Sequence, residues 1–485
     1  MEETTFTLEL PLGVTQEQYY ELNQTYKIAR YIYNSTVKKV INRIKQMKQT
    51  KRYRNLIASL THNKRQDKPI YNELNKLREE YKLTKNWIEK DVKKHQRYFR
   101  KHINSQIAQK LSNQIWQACE DYFFGDGDKI HFKKFDSIMT LTGKSNSTGI
   151  RFKDNKVYFR HLELSLKREL NNYEWQALRN PISYCRLKRR FIKGKYKFYI
   201  QIVLKGQPPV KYDKKTGEVR NYPSQGDVGL DIGTSTIAYA SETDVKIIEL
   251  ANKVKGYEDK LRRLQRKLDR QTRANNPNNY NTNGTIKKGR KRWYYSKNMQ
   301  KTLAQIKEIY RKQTDIRSYQ HHVLANQIIN LGDKFYVEKM NFKALSKKAK
   351  NIEISKKTGK FKRKKRFGKS IGNRAPAKLL SIIAYKLKYY GKELVEIDTI
   401  SAKASQFNHA NETYKKKKLS QRWTVVDGYR VQRDMYSAFL IMNIASDLKS
   451  FDLNKCNDRF ENFLKLHENE VKRLTGNKNL SSIAI

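Results

Sequence analysis

The chain has 485 residues, with 103 Lys and Arg against 47 Asp and Glu, and a formal net charge of +56. Domains usually hold about 100–200 residues, so this length predicts about two to four units. A charge of this size repels itself unless a polyanion screens it, so nucleic acid is the expected partner and an ordinary metabolic enzyme is a poor match.

Cysteine usage and hydropathy exclude further classes. Cys119, Cys185 and Cys456 are far apart and form no CxxC pair, which excludes a disulfide framework and argues against a cysteine-based zinc site. No apolar run of about 18 residues occurs, so no membrane span is expected. The acidic start "MEETTFTLEL" lacks the apolar core of a signal peptide. We therefore expect a soluble, cytoplasmic protein that binds a polyanion.

The first half of the chain combines one strand, a set of helices and then several short strands. Apolar residues alternate over 4–13, and helical spacing follows over 15–48, where Thr15 can cap the helix. Further helices are predicted over 67–81 and 84–123. From about residue 128 the apolar period becomes two, which predicts strands at 129–134, 149–154, 156–161, 183–192 and 195–206. We expect a small β-barrel from 1–14 and 126–210, with 15–125 as a helical insertion.

The second half is predicted to be an α/β domain. The Pro- and Gly-containing stretch 211–226 is typical of a linker. The predicted elements after it are two strands joined by a turn within 227–241, and strands at 245–251, 333–340 and 393–399. Long basic helices are predicted at 252–273 and 296–331, and further helices at 376–391, 433–448 and 454–474. Together they predict a domain built from 227–400 and 431–450, with inserted long helices and a C-terminal helix or tail at 451–485.

Three acidic residues stand out by their context in this domain. Asp231 lies inside an apolar strand, Glu338 ends another, and Asp434 opens a helix. Burying a carboxylate is costly unless something compensates the charge, and Mg²⁺ does so by taking carboxylate oxygens. Two such ions about 3.5–4 Å apart can activate water and stabilise the leaving oxygen in phosphodiester cleavage. An RNase H-like sheet builds such a site from two strands and a helix.

The segments around these acids resemble a known nuclease family. "GLDIGTSTIAYAS" (229–241) resembles the first RuvC motif of the transposon-associated TnpB nucleases and the type V CRISPR effectors. "FYVEKMNF" (335–342) is similar to the second motif, and "VQRDMYSAFLIMNIA" (431–445) to the third. The first half agrees with the family in architecture only, as a wedge-like barrel with a helical recognition insertion.

The resemblance implies an RNA-guided DNA endonuclease with a RuvC, RNase H-like domain. Asp231, Glu338 and Asp434 would be its catalytic residues and metal ligands, for two Mg²⁺ or Mn²⁺ ions. Its partners would be a guide RNA, either transposon-encoded or CRISPR-derived, and double-stranded DNA with a short flanking motif. The sequence leaves the oligomeric state open.

One feature departs from the family pattern. A four-cysteine zinc ribbon usually lies between the last sheet strand and the third acid, yet 401–433 contains no cysteine and only His409. We therefore expect no zinc. The segment 401–430 is predicted to be a degenerate, zinc-free insertion that binds target nucleic acid, with His409 as a polar loop residue.

The most basic stretch, 343–376, has Glu353 as its only acidic residue. It is either a solvated charged loop or a loop that follows phosphates and is ordered by the guide–target duplex. The segment "GKSIGNRAP" (368–376) favours the second interpretation, because its glycines precede a helix start where backbone amides bind phosphate. The predicted nucleic-acid contacts are Lys362, Arg363, Lys364, Lys365, Arg366, Lys369, Arg374, Arg422, Trp423 and Arg433.

Three alternative functions compete with the nuclease. A nuclease-independent, RNA-guided DNA-binding repressor would have lost one or more acids, whereas all three are present. A DNA-transposing recombinase typically has its acids in the order Asp, Asp, Glu, and here the order is Asp, Glu, Asp. A standalone junction resolvase would not explain the large basic first half.

Overall fold

The computed structural model describes residues 4–61, 63, 65–125, 127–213, 215–347, 354, 359, 367–418 and 421–476. The chain divides into two compact units, Met1–Pro209 and Val210–Ile485. No helix of the described part is long and apolar enough to cross a membrane. The predicted linker, 211–226, falls within the second unit. Tyr390 Oη donates to the Asn221 carbonyl at 2.9 Å, and Ser224 Oγ donates to the Asn330 carbonyl at 2.7 Å.

The first unit contains both helices and strands. In chain order its elements are β1 (Thr5–Gly13), α1 (Gln16–Gln49), α2 (Lys51–Ala58), α3 (Lys68–Glu80), α4 (Lys85–Tyr98), α5 (Ser105–Phe123), β2 (Thr140–Thr142), β3 (Ile150–Lys153), β4 (Lys156–Phe159), β5 (Leu162–Leu166), α6 (Asn172–Leu178), β6 (Ile182–Ile192) and β7 (Lys195–Lys205).

Side-chain caps explain where the helices of this unit begin. Thr15 and Gln18 form a capping box at the start of α1, as the sequence predicts. The single helix predicted over 84–123 is wrong, because the chain leaves α4 after Tyr98 and starts again at α5. The Asn104 side chain accepts a hydrogen bond from the Ile107 N–H and so caps the second helix.

The strands of the first unit form a seven-stranded sheet in the order β2-β6-β7-β1-β5-β4-β3. Its neighbouring strands are antiparallel, and Gly194, at φ +84°, turns β6 into β7. The terminal strands β2 and β3 are not paired with each other in the described residues, so hydrogen bonds do not close the predicted barrel. Residues 129–134, predicted as a strand, are not one. The mixed class of helices and several sheets is confirmed.

The second unit has a central sheet with helices on both faces. Its elements are β8 (Asp227–Ile232), β9 (Thr236–Ala240), β10 (Val245–Glu249), α7 (Glu258–Asn275), α8 (Lys297–Ile329), β11 (Lys334–Glu338), α9 (Phe342–Leu345), α10 (Gly368–Arg374), α11 (Pro376–Leu387), β12 (Leu394–Ile397), α12 (Thr399–Ala402), β13 (Phe407–Asn408), β14 (Thr413–Tyr414), β15 (Trp423–Val426), β16 (Tyr429–Gln432), α13 (Arg433–Met442) and α14 (Leu453–Thr475).

The central sheet has five strands in the order β10-β9-β8-β11-β12. Strand β9 is antiparallel to both β10 and β8, whereas β11 runs parallel to both β8 and β12. Apolar residues of α8 and α11 pack on one face, and those of α13 and α14 pack on the other. Alternate residues of each strand therefore enter two separate cores.

Helix α13 lies directly on strand β8. A Cβ atom at Gly229 would be 2.0 Å from the Ala438 carbonyl oxygen and 2.3 Å from the Met442 nitrogen. No side chain fits in that space, so glycine allows the two backbones to touch. This contact fixes the height of α13 above the sheet.

The cysteine-free segment before α13 forms two short hairpins, β13–β14 and β15–β16. His409 is buried here, with its Nδ1 2.7 Å from Tyr436 Oη and its ring 4.7 Å from that of Phe460. His409 lies in the turn between β13 and β14, as a loop residue should, but its ring is buried against the rings of Tyr436, Phe439 and Phe460 on α13 and α14.

Candidate active site

Two of the predicted acids come from neighbouring parallel strands. The register of β8 and β11 pairs Gly229 with Tyr336 and Leu230 with Val337. The next position in this register pairs Asp231 with Glu338. Neighbouring strands are about 4.8 Å apart, so the two carboxylates leave the sheet side by side.

Both acids point to the face that α13 covers. Leu230, Ile232 and Val337 enter the core formed with α8 and α11. Asp231 lies between the first two in sequence and Glu338 follows the third, so both point to the opposite face. One face of the same strands is thus wholly apolar, and the other carries Asp231, Glu338 and also Asp227, which forms an ion pair with Arg459.

The third acid arrives on the same face at the start of α13. Asp434 is the second residue of this helix, and Gln432 caps the helix by accepting a hydrogen bond from the Met435 N–H at 2.8 Å. A carboxylate in the first helical turn is favoured by the helix dipole. Because α13 touches β8 at Gly229, its first turn lies on the same face of the sheet as Asp231.

The electrostatics of the site reflect this convergence. Burial raises the pKa of Asp231 well above its ordinary value, and the charges of Asp434 and Glu338 raise it further, while Arg433 lowers it. Burial also raises the pKa of Glu338 from 4.5 to about 6. The three acids therefore act on one another, and ionising all of them is unfavourable without a compensating cation.

The three carboxylates differ in their partners. Within the described chain, the side chains of Asp231 and Glu338 form no hydrogen bond or ion pair. Asp434 is held by two arginines: Arg433 Nη2 is 2.9 Å from Oδ1, and Arg422 Nη1 is 3.5 Å from Oδ2. Of the three acids, only Asp434 forms ion pairs within the described chain.

The chemistry of this donor set fits a hard divalent cation. Carboxylate oxygens are the ligands that Mg²⁺ and Mn²⁺ prefer, and two of these carboxylates lack any other partner in the described chain. Within the described ranges, no three His, Cys, Asp or Glu side chains are already grouped closely enough to hold a metal ion. Both oxygens of Asp434 contact guanidinium groups instead, so this residue would have to exchange an arginine for the ion.

The predicted nucleic-acid contacts near Asp434 are partly engaged within the protein. Arg433 also donates to the Gln421 carbonyl at 3.1 Å, and Arg422 extends from the same segment with 37% of its side chain exposed. The Trp423 ring lies under the Arg430 guanidinium, 4.6 Å from its centroid.

The other predicted contacts lie in or beside the basic stretch. Lys369 is on the surface, where its Nζ lies 2.5 Å from Glu258. Arg374 is buried, forms an ion pair with Glu249 and donates to the Ala251 carbonyl at 2.9 Å. This guanidinium is therefore committed to the interior. The predicted contacts Lys362, Arg363, Lys364, Lys365 and Arg366 lie outside the described residues.

Sequence reasoning missed the residues that hold Asp434 in place. Gln432 was not singled out, because glutamine is an uncommon helix cap. Its backbone N–H donates to His467 Nε2 at 2.9 Å, across 35 positions of sequence. No local pattern reveals such a contact.

Comparisons with known proteins complete this description. No protein-family model and no curated protein matches the chain. Among solved structures, the chain is similar to a cryo-EM structure of a Cas12f1–sgRNA–target DNA complex, with a TM-score of 0.43 and 13% identity over 91% of this chain and 99% of that one. It is also similar to a cryo-EM structure of a CRISPR–Cas12f ternary complex, with a TM-score of 0.27 and 13% identity over 89% and 82% of the two chains. At this distance, the function has to be argued from the chain's own residues.

Proposed function

We propose that this protein is an RNA-guided DNA endonuclease that hydrolyses phosphodiester bonds at Asp231, Glu338 and Asp434. The observation that supports the hydrolytic site best is the convergence of these acids. Two come from adjacent parallel strands and one from a helix start, and the two on the strands have no partner in the described chain. The strand order and directions of this sheet are also those of an RNase H-like domain, which is the fold we propose for it.

The proposed cofactor is a pair of Mg²⁺ or Mn²⁺ ions, which Asp231, Glu338 and Asp434 would hold. When bound, such ions supply charge neutralisation at the scissile phosphate and activation of water. The chain's own residues prepare the place: the strands fix two carboxylates at one height, and the Gly229 contact brings the third from above. Arg433 and Arg422 hold the Asp434 carboxylate in place through their ion pairs, and their charge favours a phosphate beside it.

RNA guidance and DNA targeting rest on two further observations. The motifs around the three acids resemble those of the RNA-guided nucleases, and the net charge of +56 favours binding of a large polyanion. The proposed partners are a guide RNA and double-stranded DNA with a short flanking motif, which the protein would recognise while base pairing selects the target.

The test uses the full chain purified with the RNA that it retains from its own gene region. Asp231→Asn should reduce cleavage of a plasmid complementary to that RNA by at least about 1000-fold, a loss of roughly 4 kcal/mol in transition-state stabilisation. Because only the site changes, RNA affinity should stay within about threefold. Plasmid cleavage rates and filter binding measure the two quantities.

A neighbouring acid provides the matched control. Asp398 follows the adjacent strand β12, and its side chain accepts hydrogen bonds from the Ile400 and Ser401 N–H groups to cap α12. Asn caps helices as well as Asp does, so Asp398→Asn should cut like the wild type. Undiminished cleavage by Asp231→Asn, or an equal loss in Asp398→Asn, would refute the proposed site.

A further inference from the structure

The C-terminal helix α14 reaches the residue that begins α13. His467, on α14, is 5% exposed, and its Nε2 accepts a hydrogen bond from the Gln432 N–H at 2.9 Å. Gln432 is itself 1% exposed, so this bond is shielded from water. A hydrogen bond in such surroundings is stronger and more directional than one at the surface.

Gln432 transmits this contact to the candidate active site. Its backbone is held by His467, while its side-chain Oε1 accepts from the Met435 N–H at 2.8 Å. Asp434 lies between the two bonded positions, in the first turn of α13. The backbone that carries this carboxylate is therefore fixed from both sides.

Gln432 is buried although one atom of its side chain lacks a hydrogen-bond partner. Gln432 Nε2 is buried and has no hydrogen-bond partner in the described residues. Buried amide groups are usually paired, so an unpaired one indicates that the residue serves position more than stability.

The imidazole also lies among aromatic rings. Its ring packs 5.6 Å from the ring of Phe463 and meets the edge of Trp423 at 6.2 Å. Burial lowers the pKa of His467 to about 4, so the ring is neutral at physiological pH. Its Nε2 can then accept the hydrogen bond from the Gln432 N–H. His467 Nε2 can therefore accept this hydrogen bond throughout the physiological pH range.

We propose that His467 is a positioning residue for Asp434, acting through Gln432. The inference rests on the proposed function of the site and adds α14 to it, as the brace that sets the first turn of α13. Residues that orient ligands in this way typically change metal affinity about 10–100-fold when they are replaced.

The experiment compares four full-length proteins: wild type, His467→Leu, His467→Gln and Phe463→Leu. His467→Leu keeps most of the volume and removes the acceptor, and His467→Gln offers a carbonyl oxygen near the Nε2 position. Phe463→Leu, also buried and on the same helix, removes packing but leaves the bond to Gln432 intact. Thermal unfolding first gives the melting range of each variant, and all binding and cleavage measurements are then made below it.

The main measurement is Mn²⁺ binding to the nucleic-acid-free protein by calorimetry. We expect His467→Leu to bind Mn²⁺ at least about 10-fold more weakly, with His467→Gln and Phe463→Leu within about threefold of wild type. The Mn²⁺ concentration for half-maximal plasmid cleavage should shift in the same order. Wild-type affinity in His467→Leu, or an equal loss in Phe463→Leu, would overturn the positioning role.

The wild type and Asp231→Asn separate this inference from the proposed function. Clear binding by the wild type and its loss in Asp231→Asn support the metal site, whatever His467→Leu does. Equal binding by these two proteins would overturn the proposed site, and the inference would fall with it.

Discussion

The central sheet of the second unit holds two sets of carboxylates in opposite environments. Glu249, on β10, is buried, forms an ion pair with Arg374 and lies 2.7 Å from Lys255 Nζ. Asp231 and Glu338, on β8 and β11, have no hydrogen bond or ion pair with a described residue, and their pKa values are raised. The chain satisfies the first set by itself, and the second set is where we propose that a cation binds. In that proposal, the first set serves the fold and the second set serves chemistry.

The largest expected effect comes from breaking the satisfied set. Arg374→Met leaves Glu249 buried with Lys255 as its remaining cation in an ion pair. Breaking a buried pair costs about 3–5 kcal/mol, and we expect about 3 kcal/mol here because one cation stays. Denaturant unfolding of the nucleic-acid-free protein measures this loss.

Lys369→Met is the control for Arg374→Met, since Lys369 lies in the same basic stretch with 72% of its side chain exposed. A surface pair contributes little, so its unfolding free energy should change by less than about 1 kcal/mol. If Arg374→Met were as stable as wild type but bound RNA with a weaker salt dependence, Arg374 would contact phosphate, as the sequence alone predicted.

An intermediate effect is expected at the contact that brings the third acid to the unsatisfied set. In Gly229→Ala, the new Cβ would lie 2.0 Å from the Ala438 carbonyl oxygen, so α13 has to move. Overpacking of this kind costs about 1–3 kcal/mol, and a loss within this range is expected because the backbone of α13 is displaced. Thermal unfolding measures the loss, and Mn²⁺ binding should weaken with it.

Gly256→Ala controls for the general effect of replacing glycine. No atom lies within 4 Å of a Cβ placed at Gly256, so this variant should melt close to the wild type. Equal melting of the two variants would mean that α13 does not rest on β8 as described.

The smallest effect is a gain of stability at the unsatisfied set. The pKa of Glu338 is raised from 4.5 to about 6, so folding favours its protonated form. The wild type loses stability as the pH rises from 4.5 through 6, and the full cost, about 2 kcal/mol, applies above that range. Without divalent ions, Glu338→Gln should be more stable than wild type by up to this amount at pH 7.5 and equal to it at pH 4.5.

Denaturant unfolding at several pH values, in the presence of a chelator, tests this sign. Glu396→Gln, on the neighbouring strand β12, is the control because 60% of that side chain is exposed and its contact with Lys339 is 3.9 Å long. It should show no such pH dependence. A Glu338→Gln protein that is less stable than wild type at pH 7.5 would mean that Glu338 has a partner in the folded chain.

Much of the fold follows from local pattern. The strand–turn–strand around Asp231, the strand that ends at Glu338 and the helix that begins beside Asp434 are where apolar periodicity predicts them. Apolar periodicity predicts the wrong element at two places in the first unit. One predicted helix is broken before Asn104, which caps the next, and the alternating residues 129–134 form no strand.

By itself, the sequence determined the chemistry of this protein: its charge, the three acids, their order along the chain and the elements that carry them. These depend on residue type and on periods of two and 3.6, which are local properties. Only the tertiary structure decided which cations remain within the fold, as Arg374 does, and that His409 and His467 are buried. It also decided that His467 of α14 accepts a hydrogen bond from the Gln432 N–H at the start of α13. Contacts between residues far apart in sequence depend on how elements pack, and no local pattern records that packing.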